Sequence, residues 1–459
     1  MTALRTPPDA PRAALTHQGI TDDYLAGFAQ SGQCASDILD GVRPSTVDTC
    51  FGGRSLSRPV FLGRDDISRL TRDLELLHAL ITGLPDRVFG GDLSAFARAV
   101  GATDAQATAS VRGHGDAAPR MSRADLFLDH TGFRLMEINW GSALGGLDSA
   151  CLNRAMLGQP FVAEFVQRHG LTYVDPMVEL VDTLFTECKV ALGRRPTVAL
   201  ADWPESFPTL EPQLRASAQR LAAFGMDAYP CHVGQLSYAD GRVWLGDLPI
   251  DIVYRLFLME DLLDESGPGL IEPILRAAER REVGLFVGMD AELYGSKGAL
   301  ALLSDEGMRH LYRSDELAAL DRVLPWTKAV RPGRVTVDGG HADLLDYALA
   351  QQQELILKPT LMHGGLGIVP GWVTTADLWR EQVEAAMDQP YVLQRRIHAL
   401  PEAVPTDTGL ESWTLTWGAF MAARGYGGMF LRGSTDPAMP HNISNGATGT
   451  CCFHQQEAS

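Results

Sequence analysis

The sequence predicts an α/β chain built from several compact units, and three observations carry that reading. From about residue 21 to 110, apolar residues recur at spacings of three and four, as in DDISRLTRDLELLHALITGL and LSAFARAV, which is helical period. Residues 121–139 change to strand period. There ADLFLD, a turn at His130-Thr131-Gly132, and FRLMEIN read as a β-hairpin. Beyond the hairpin, helical and strand signals alternate, which predicts helices layered on a partly parallel sheet.

Taken in order, residues 1–20 are polar and Pro-rich and are expected to be poorly ordered. Residues 1–110 form a mostly helical region and 111–150 carry the hairpin. Residues 151–290 form a smaller α/β unit from the helix VELVDTLFTECKVAL, the strand TVALAD, the helix LRASAQRLAAFG and the strands RVWLG and DIVYRLF. From 291 to 459 a further unit is expected. It comprises a helix near SKGALALLSD, a helix over HADLLDYALAQQQ, the strand ELILKP, a Gly-rich turn, the helix ADLWREQVEAAM, and the strands YVLQRR, WTLTWGAFMA and YGGMFLRGS.

At 45% hydrophobic and 21% charged, the composition is that of a soluble globular protein. A net charge of −18 argues against a general nucleic-acid binder, since phosphate backbones call for clustered Lys and Arg. It leaves room for a local cationic pocket. No apolar run reaches membrane-spanning length, so no membrane association is expected. Seven scattered cysteines with no CxxC pair suggest neither a disulfide framework nor zinc, and point to a reducing cytoplasm.

Four segments carry candidate chemistry. Asp125 lies on the first hairpin strand and Glu137 and Asn139 on the second. A step of two puts Glu137 and Asn139 on one strand face, and hairpin pairing can bring Asp125 across to it. Two carboxylates and an amide oxygen are hard ligands suited to magnesium. In the second segment, ELILKP ends in Lys358, and Gly364, Gly365 and Gly367 follow. Glycines let backbone N–H groups approach phosphate, with a lysine charge beside them. The lysine precedes the glycines, so this is no Walker A loop. In YVLQRRI, Gln394, Arg395 and Ile397 lie where a strand could offer groups to a base edge. In YGGMFLRGS, Arg432 ends an apolar run, where a guanidinium could grip a phosphate or carboxylate. Lys297 opens a helix after YGS and Arg255 ends DIVYR. Taken singly, each segment also reads as an ordinary strand, turn or solvated charge.

Together and in this order, the segments resemble the circularly permuted form of the ATP-grasp superfamily, most of all the synthetase domain of glutathionylspermidine synthase and its relatives. RADLFLD…MEIN resembles that family's metal hairpin, with the step of twelve from Asp125 to Glu137 and Arg123 two before the aspartate. GSKGALALLSD resembles the segment carrying the first phosphate lysine, ELILKP…HGGLGI the second lysine and its covering loop, YVLQRRI the adenine hinge, and YGGMFLRGS the strand of a catalytic arginine. The resemblance touches roughly 123–150 and 295–450, and leaves 1–110 unmatched. The hinge reads QRR where many members have Gln-Glu.

The resemblance implies an ATP- and Mg2+-dependent carboxylate–amine ligase acting through an acyl phosphate on small amino-acid or peptide substrates. A role in natural-product or peptide tailoring is the preferred setting. It implies Asp125, Glu137 and Asn139 as metal ligands, and Lys297, Lys358 and the glycines on the phosphates. Gln394, Arg395 and Ile397 would face the nucleotide base, Arg123 and Arg432 would be catalytic, and Ser142 and Arg255 would orient substrate. A kinase on the same fold, or a non-catalytic ATP-binding protein, stands as the rival.

Overall fold

A computed structural model of the chain describes residues 17–42, 51–141, 144–191, 193–263, 267–362, 365–436 and 443–456. Its central sheet is antiparallel. Thr448–Thr450, Gly425–Ser434, Gly409–Ala422, Ser122–Asp129 and Gly132–Trp140 lie side by side in that order, and Glu402–Thr406 pairs along the free length of Gly409–Ala422. The expected hairpin therefore forms the edge of this sheet. Asp129 shapes its turn by accepting from the backbone N–H groups of Thr131 and Gly132, and Gly132 has φ +132°. One irregularity matters for the site. Asp125 pairs with Glu137 but Leu126 pairs with Leu135, so Met136 is bulged out of the ladder.

The second sheet is fully parallel, in the order Gly284–Phe286, Ile252–Arg255, Thr197–Asp202, Asp227–His232. It accounts for the strand signals TVALAD and DIVYR, but RVWLG lies outside it, in a separate antiparallel sheet of Leu236–Ala239, Arg242–Leu245 and Leu248–Ile250. The third, antiparallel, runs Thr327–Ala329, Tyr391–Arg395, Leu355–Pro359, Val369–Pro370, and has its own core around Leu357, Trp379 and Leu393.

The helical region is led by Arg64–Thr82, whose Ile67, Leu70, Leu74, Leu77 and Ile81 make the buried stripe that its spacing predicts. Asp104–Arg112 follows, entered through a capping box of Thr103 and Gln106. Of the stretch expected to be poorly ordered, residues 1–16 lie outside the described residues and 17–20 instead open the helix His17–Ser31. Three further elements differ from expectation. Val60–Leu62 is a strand inside the helical region, drawn out of helix by parallel pairing with Cys452, Phe453 and His454. The helix expected from His341 begins at Leu344, because Gly340–Asp343 pairs with Arg334–Val337 and Asp343 then caps the helix by accepting from Leu345 and Asp346 N–H. The helix expected from Leu214 begins at Phe207, with proline in its first turn, where the missing N–H has no intrahelical partner to lose.

Candidate functional site

The site is built on one face of the central sheet. Directly paired residues in an antiparallel ladder point the same way. The register aligns Glu137, Asp125, Gly418 and Phe430 in one row across four strands. Asn139 pairs with Arg123 one step along, and Arg432 pairs with Thr416 one step the other way. Thus Arg123, Asp125, Glu137, Asn139 and Arg432, separated by up to three hundred positions in sequence, share one face.

Asp125 is the centre of that face and is fully buried, 0% exposed. Arg123 donates Nε to its Oδ1 at 2.8 Å and Nη2 to its Oδ2 at 3.0 Å. Arg432 approaches the same two oxygens at 3.3 and 2.8 Å. Asn139 Nδ2 adds a bond to Oδ2 at 2.9 Å. Burial alone pushes the carboxyl up, but the two guanidiniums outweigh it and hold Asp125 well below the usual carboxylate range. Both guanidiniums stack over the Phe430 ring, with their carbons 5.5 and 5.0 Å from its centroid. Arg123 Nη1 also binds Gly145 O at 2.6 Å, which ties the cluster to the loop after the hairpin.

Glu137 faces the third sheet. Lys297 Nζ lies 3.3 Å from its Oε2, and the carboxylate keeps 27% exposure. Burial pushes its carboxyl up, but Lys297 and Lys358 outweigh that and hold it below its ordinary value. Lys297 comes from the start of Lys297–Leu303, capped by Ser296, and its Nζ also reaches Met362 O at 3.2 Å. Lys358 comes from the strand Leu355–Pro359. Its Nζ donates to Met136 O, the carbonyl of the bulge, at 3.2 Å and to Gln394 Oε1 at 2.8 Å. Backbone contact joins the two lysine segments, since Lys297 N donates to Thr360 O. Burial pushes the Lys358 ammonium down to about 8; Glu137 opposes that shift and Lys297 adds to it.

The structure thus gathers Arg123, Asp125, Glu137, Asn139, Lys297, Lys358, Gln394 and Arg432. Of the glycine turn, Gly364 lies outside the described residues. Gly365 and Gly367 both have positive φ, +83° and +68°, and Gly367 backs onto Pro359 and Tyr391. Ser142 also lies outside the described residues. Arg395 turns away from the lysines to pair with Asp338 and Tyr347, while its backbone N–H is taken by Trp326 O. Arg396 N–H is taken by Glu354 O, and Ile397 follows beyond the paired strand. Arg255 is 0% exposed at the end of its parallel strand, and among the described residues no hydrogen bond or ion pair links it to Lys297 or Lys358. It pairs with Glu292 at 2.7 Å and binds Val287 and Phe257 carbonyls. Its link to the site is indirect. Glu292 Cγ lies 3.8 Å from where a Cβ on Gly141 would be, at the end of the hairpin.

The donor chemistry fits magnesium at Glu137 and Asn139, two hard oxygen donors on one strand face. Asp125 fits less directly, because both its oxygens already accept guanidinium N–H groups. Among the described residues no three His, Cys, Asp or Glu side chains form a metal cage. Sequence reasoning passed over Gly418, although a glycine inside the apolar run WTLTWGAFMA is a signal of close approach. It also gave no role to Thr327, the last residue of LPWT, and passed over Glu292, which carries no local signal.

No family model and no curated protein matches the chain. Among solved structures, the chain is similar to a glutathione synthetase-like effector, GSS30, from Globodera pallida, at 13% identity and TM-score 0.54, over 97% of this chain and 99% of that one. Weaker likenesses are to a protein described as a gamma-glutamylcysteine synthetase from Methylobacillus flagellatus KT, and to D-alanyl-alanine synthetase A from Vibrio cholerae O1. The first has 11% identity and TM-score 0.42, over 82% of this chain and 86% of that one. The second has 15% identity and TM-score 0.25, over 49% and 67%. The fold likeness rests on the first of the three, and it places this chain in the fold of the glutathione synthetase-like effector.

Proposed function

We propose that the chain is an ATP- and Mg2+-dependent carboxylate–amine ligase, with a circularly permuted ATP-grasp architecture, that forms an amide between small amino-acid or peptide substrates and releases ADP and orthophosphate. One observation carries the reading. Two lysine ammoniums from separate segments and two guanidiniums flank a single row of hairpin oxygen donors. Such a set gathers positive charge where a triphosphate and a developing oxyanion need it. The fold shared with a glutathione synthetase-like effector supports it.

A carboxylate repels an incoming amine, so it must first lose its charge. In the proposed reaction a carboxylate oxygen attacks the γ-phosphorus and ADP leaves with the bonding pair. The amine nitrogen then attacks the acyl carbon. Orthophosphate leaves carrying one former carboxylate oxygen, and the nitrogen gives up a proton. Lys297 and Lys358 hold the phosphates, each by the one N–H that acceptors among the described residues leave over. Arg123 and Arg432 stand where the acyl phosphate and the tetrahedral adduct gather charge. Glu137 and Asn139 would hold magnesium, with Asp125 joining them only as a guanidinium withdraws. When bound, the ion would neutralise phosphate charge beyond what the lysines supply.

The test is a screen of paired amino acids and short peptides, following ADP release and product mass, with oxygen-18 in the carboxylate. Label in orthophosphate together with amine-dependent amide supports the ligase. Label in AMP rejects the acyl phosphate, and label transfer without amide indicates a kinase. Glu137→Ala should cost roughly a hundred- to thousandfold in rate.

A further inference from the structure

The side chain of Gln394 is turned inward, away from the end of the hinge, and is 3% exposed. Its orientation is set by a chain of hydrogen bonds. Thr327, also fully buried, donates its hydroxyl hydrogen to Pro325 O at 2.9 Å. Its oxygen is then an acceptor, and Gln394 Nε2 donates to it at 3.2 Å. That fixes which end of the amide is which, and turns Oε1 toward Lys358 Nζ at 2.8 Å. The second Lys358 N–H goes to Met136 O, exposed by the bulge. An ammonium has three N–H groups. Among the described residues two are fixed by protein acceptors, in directions set by two different sheets, and the third is left for a ligand.

We propose that Thr327 and Gln394 are positioning residues that aim the third N–H of Lys358 at a nucleotide phosphate, so that the Gln394 side chain serves the phosphate end of the nucleotide and not its base. The inference rests on the ATP reading above. It also gives a role to Thr327, the last residue of LPWT. A leucine at 394 would leave the ammonium with one acceptor and free to swing. A valine at 327 would remove the hydroxyl that orients the amide while keeping its shape, and a serine would keep the hydroxyl.

Equilibrium binding of four probes tests this: ATP, inosine triphosphate, tripolyphosphate and adenosine, measured on the whole chain and on Q394L, T327V and T327S. Q394L and T327V should bind ATP, inosine triphosphate and tripolyphosphate weaker by one common factor, roughly tenfold or more, the loss expected for a charged hydrogen bond. Adenosine should bind both variants as it binds the wild type, which also certifies their fold. T327S should behave as wild type. A changed ratio of ATP to inosine triphosphate in Q394L, or weakened adenosine with tripolyphosphate unchanged, would overturn the proposal. If Q394L does not fold, the T327V and T327S pair decides alone. Wild-type protein that binds neither ATP nor tripolyphosphate would overturn the nucleotide reading itself, and this inference with it.

Discussion

Gly418 stands directly across the sheet from Asp125, and its missing side chain is the space that Arg123 occupies. A Cβ at 418 would come within 2.9 Å of Arg123 Cδ, 3.1 Å of Asp125 Oδ1 and 2.8 Å of Phe430 O. The last of these is backbone within a paired strand and cannot step aside. Gly418→Ala is therefore expected to push Arg123 off Asp125, costing about 1–3 kcal/mol of stability through overpacking and most of the activity. Thermal unfolding and ADP release check it; an alanine variant with wild-type values for both would show that the cluster has slack.

Arg255 and Glu292 form a fully buried ion pair. Removing one partner leaves an uncompensated charge, so Arg255→Met should destabilise by about 3–5 kcal/mol. A role limited to substrate contact would instead raise a KM and leave the unfolding midpoint unmoved. Denaturant titration beside kinetics separates the two.

Lys358 carries a basic-side prediction. Its ammonium is pushed down to about 8 in the ligand-free protein. Below that pH it is charged and can hold phosphate; above it the charge is lost. The quantity kcat/KM for ATP reports free-enzyme ionisations, so it should fall as pH rises through about 8. In Lys358→Arg, which stays charged, that limb should vanish. A limb of unchanged position in the arginine variant would assign it to another group.

Glu187 and Asp290 give a stability prediction of the opposite kind. Burial pushes Glu187 up to about 7; the Arg120 backbone N–H opposes the shift and Asp290 adds to it. Burial likewise pushes Asp290 up to about 6. A carboxyl whose pKa is raised on folding contributes stability below its unfolded value, lost as pH rises through the folded one. The window for Glu187 is therefore from 4.5 to about 7. His78, pushed down from 6.5 to about 4 by burial, works the other way over most of that window. The difference between wild type and Glu187→Gln cancels it. The glutamine variant should gain in unfolding midpoint, relative to wild type, as pH rises from 5 to 8. Parallel curves would remove Glu187 from the account.

The hairpin, the lysine strand and the arginine strand were legible because each strand is a short apolar run that carries its own charged residues, a signal contained within ten residues per strand. What was not legible depends on partners far away in the chain. The bulge at Met136 arises from a register shift, and the residues around it show no irregularity of pattern. Arg58, in a region that reads as helical, is 0% exposed and pairs with Glu402 and with Ala403 O across more than three hundred positions. The inward direction of the Gln394 side chain was not legible either. The amide's direction is set by Thr327, on a strand that pairs with it across the sheet.

The order of strands in the central sheet also constrains how the chain can be made. The hairpin Ser122–Trp140 leaves the ribosome early, yet its neighbour in the sheet, Gly409–Ala422, follows about 270 residues later. At about 5–20 residues per second, that is a wait of roughly 15–50 s. Throughout it, the edge of Ser122–Asp129 that bears Arg123 and Asp125 has no ladder partner. The central sheet therefore closes only after the parallel sheet of Thr197–Phe286 has been made, and that sheet is free to assemble first. Folding of this chain should thus be slow relative to its local contacts, and sensitive to anything that pairs with an open strand edge during translation.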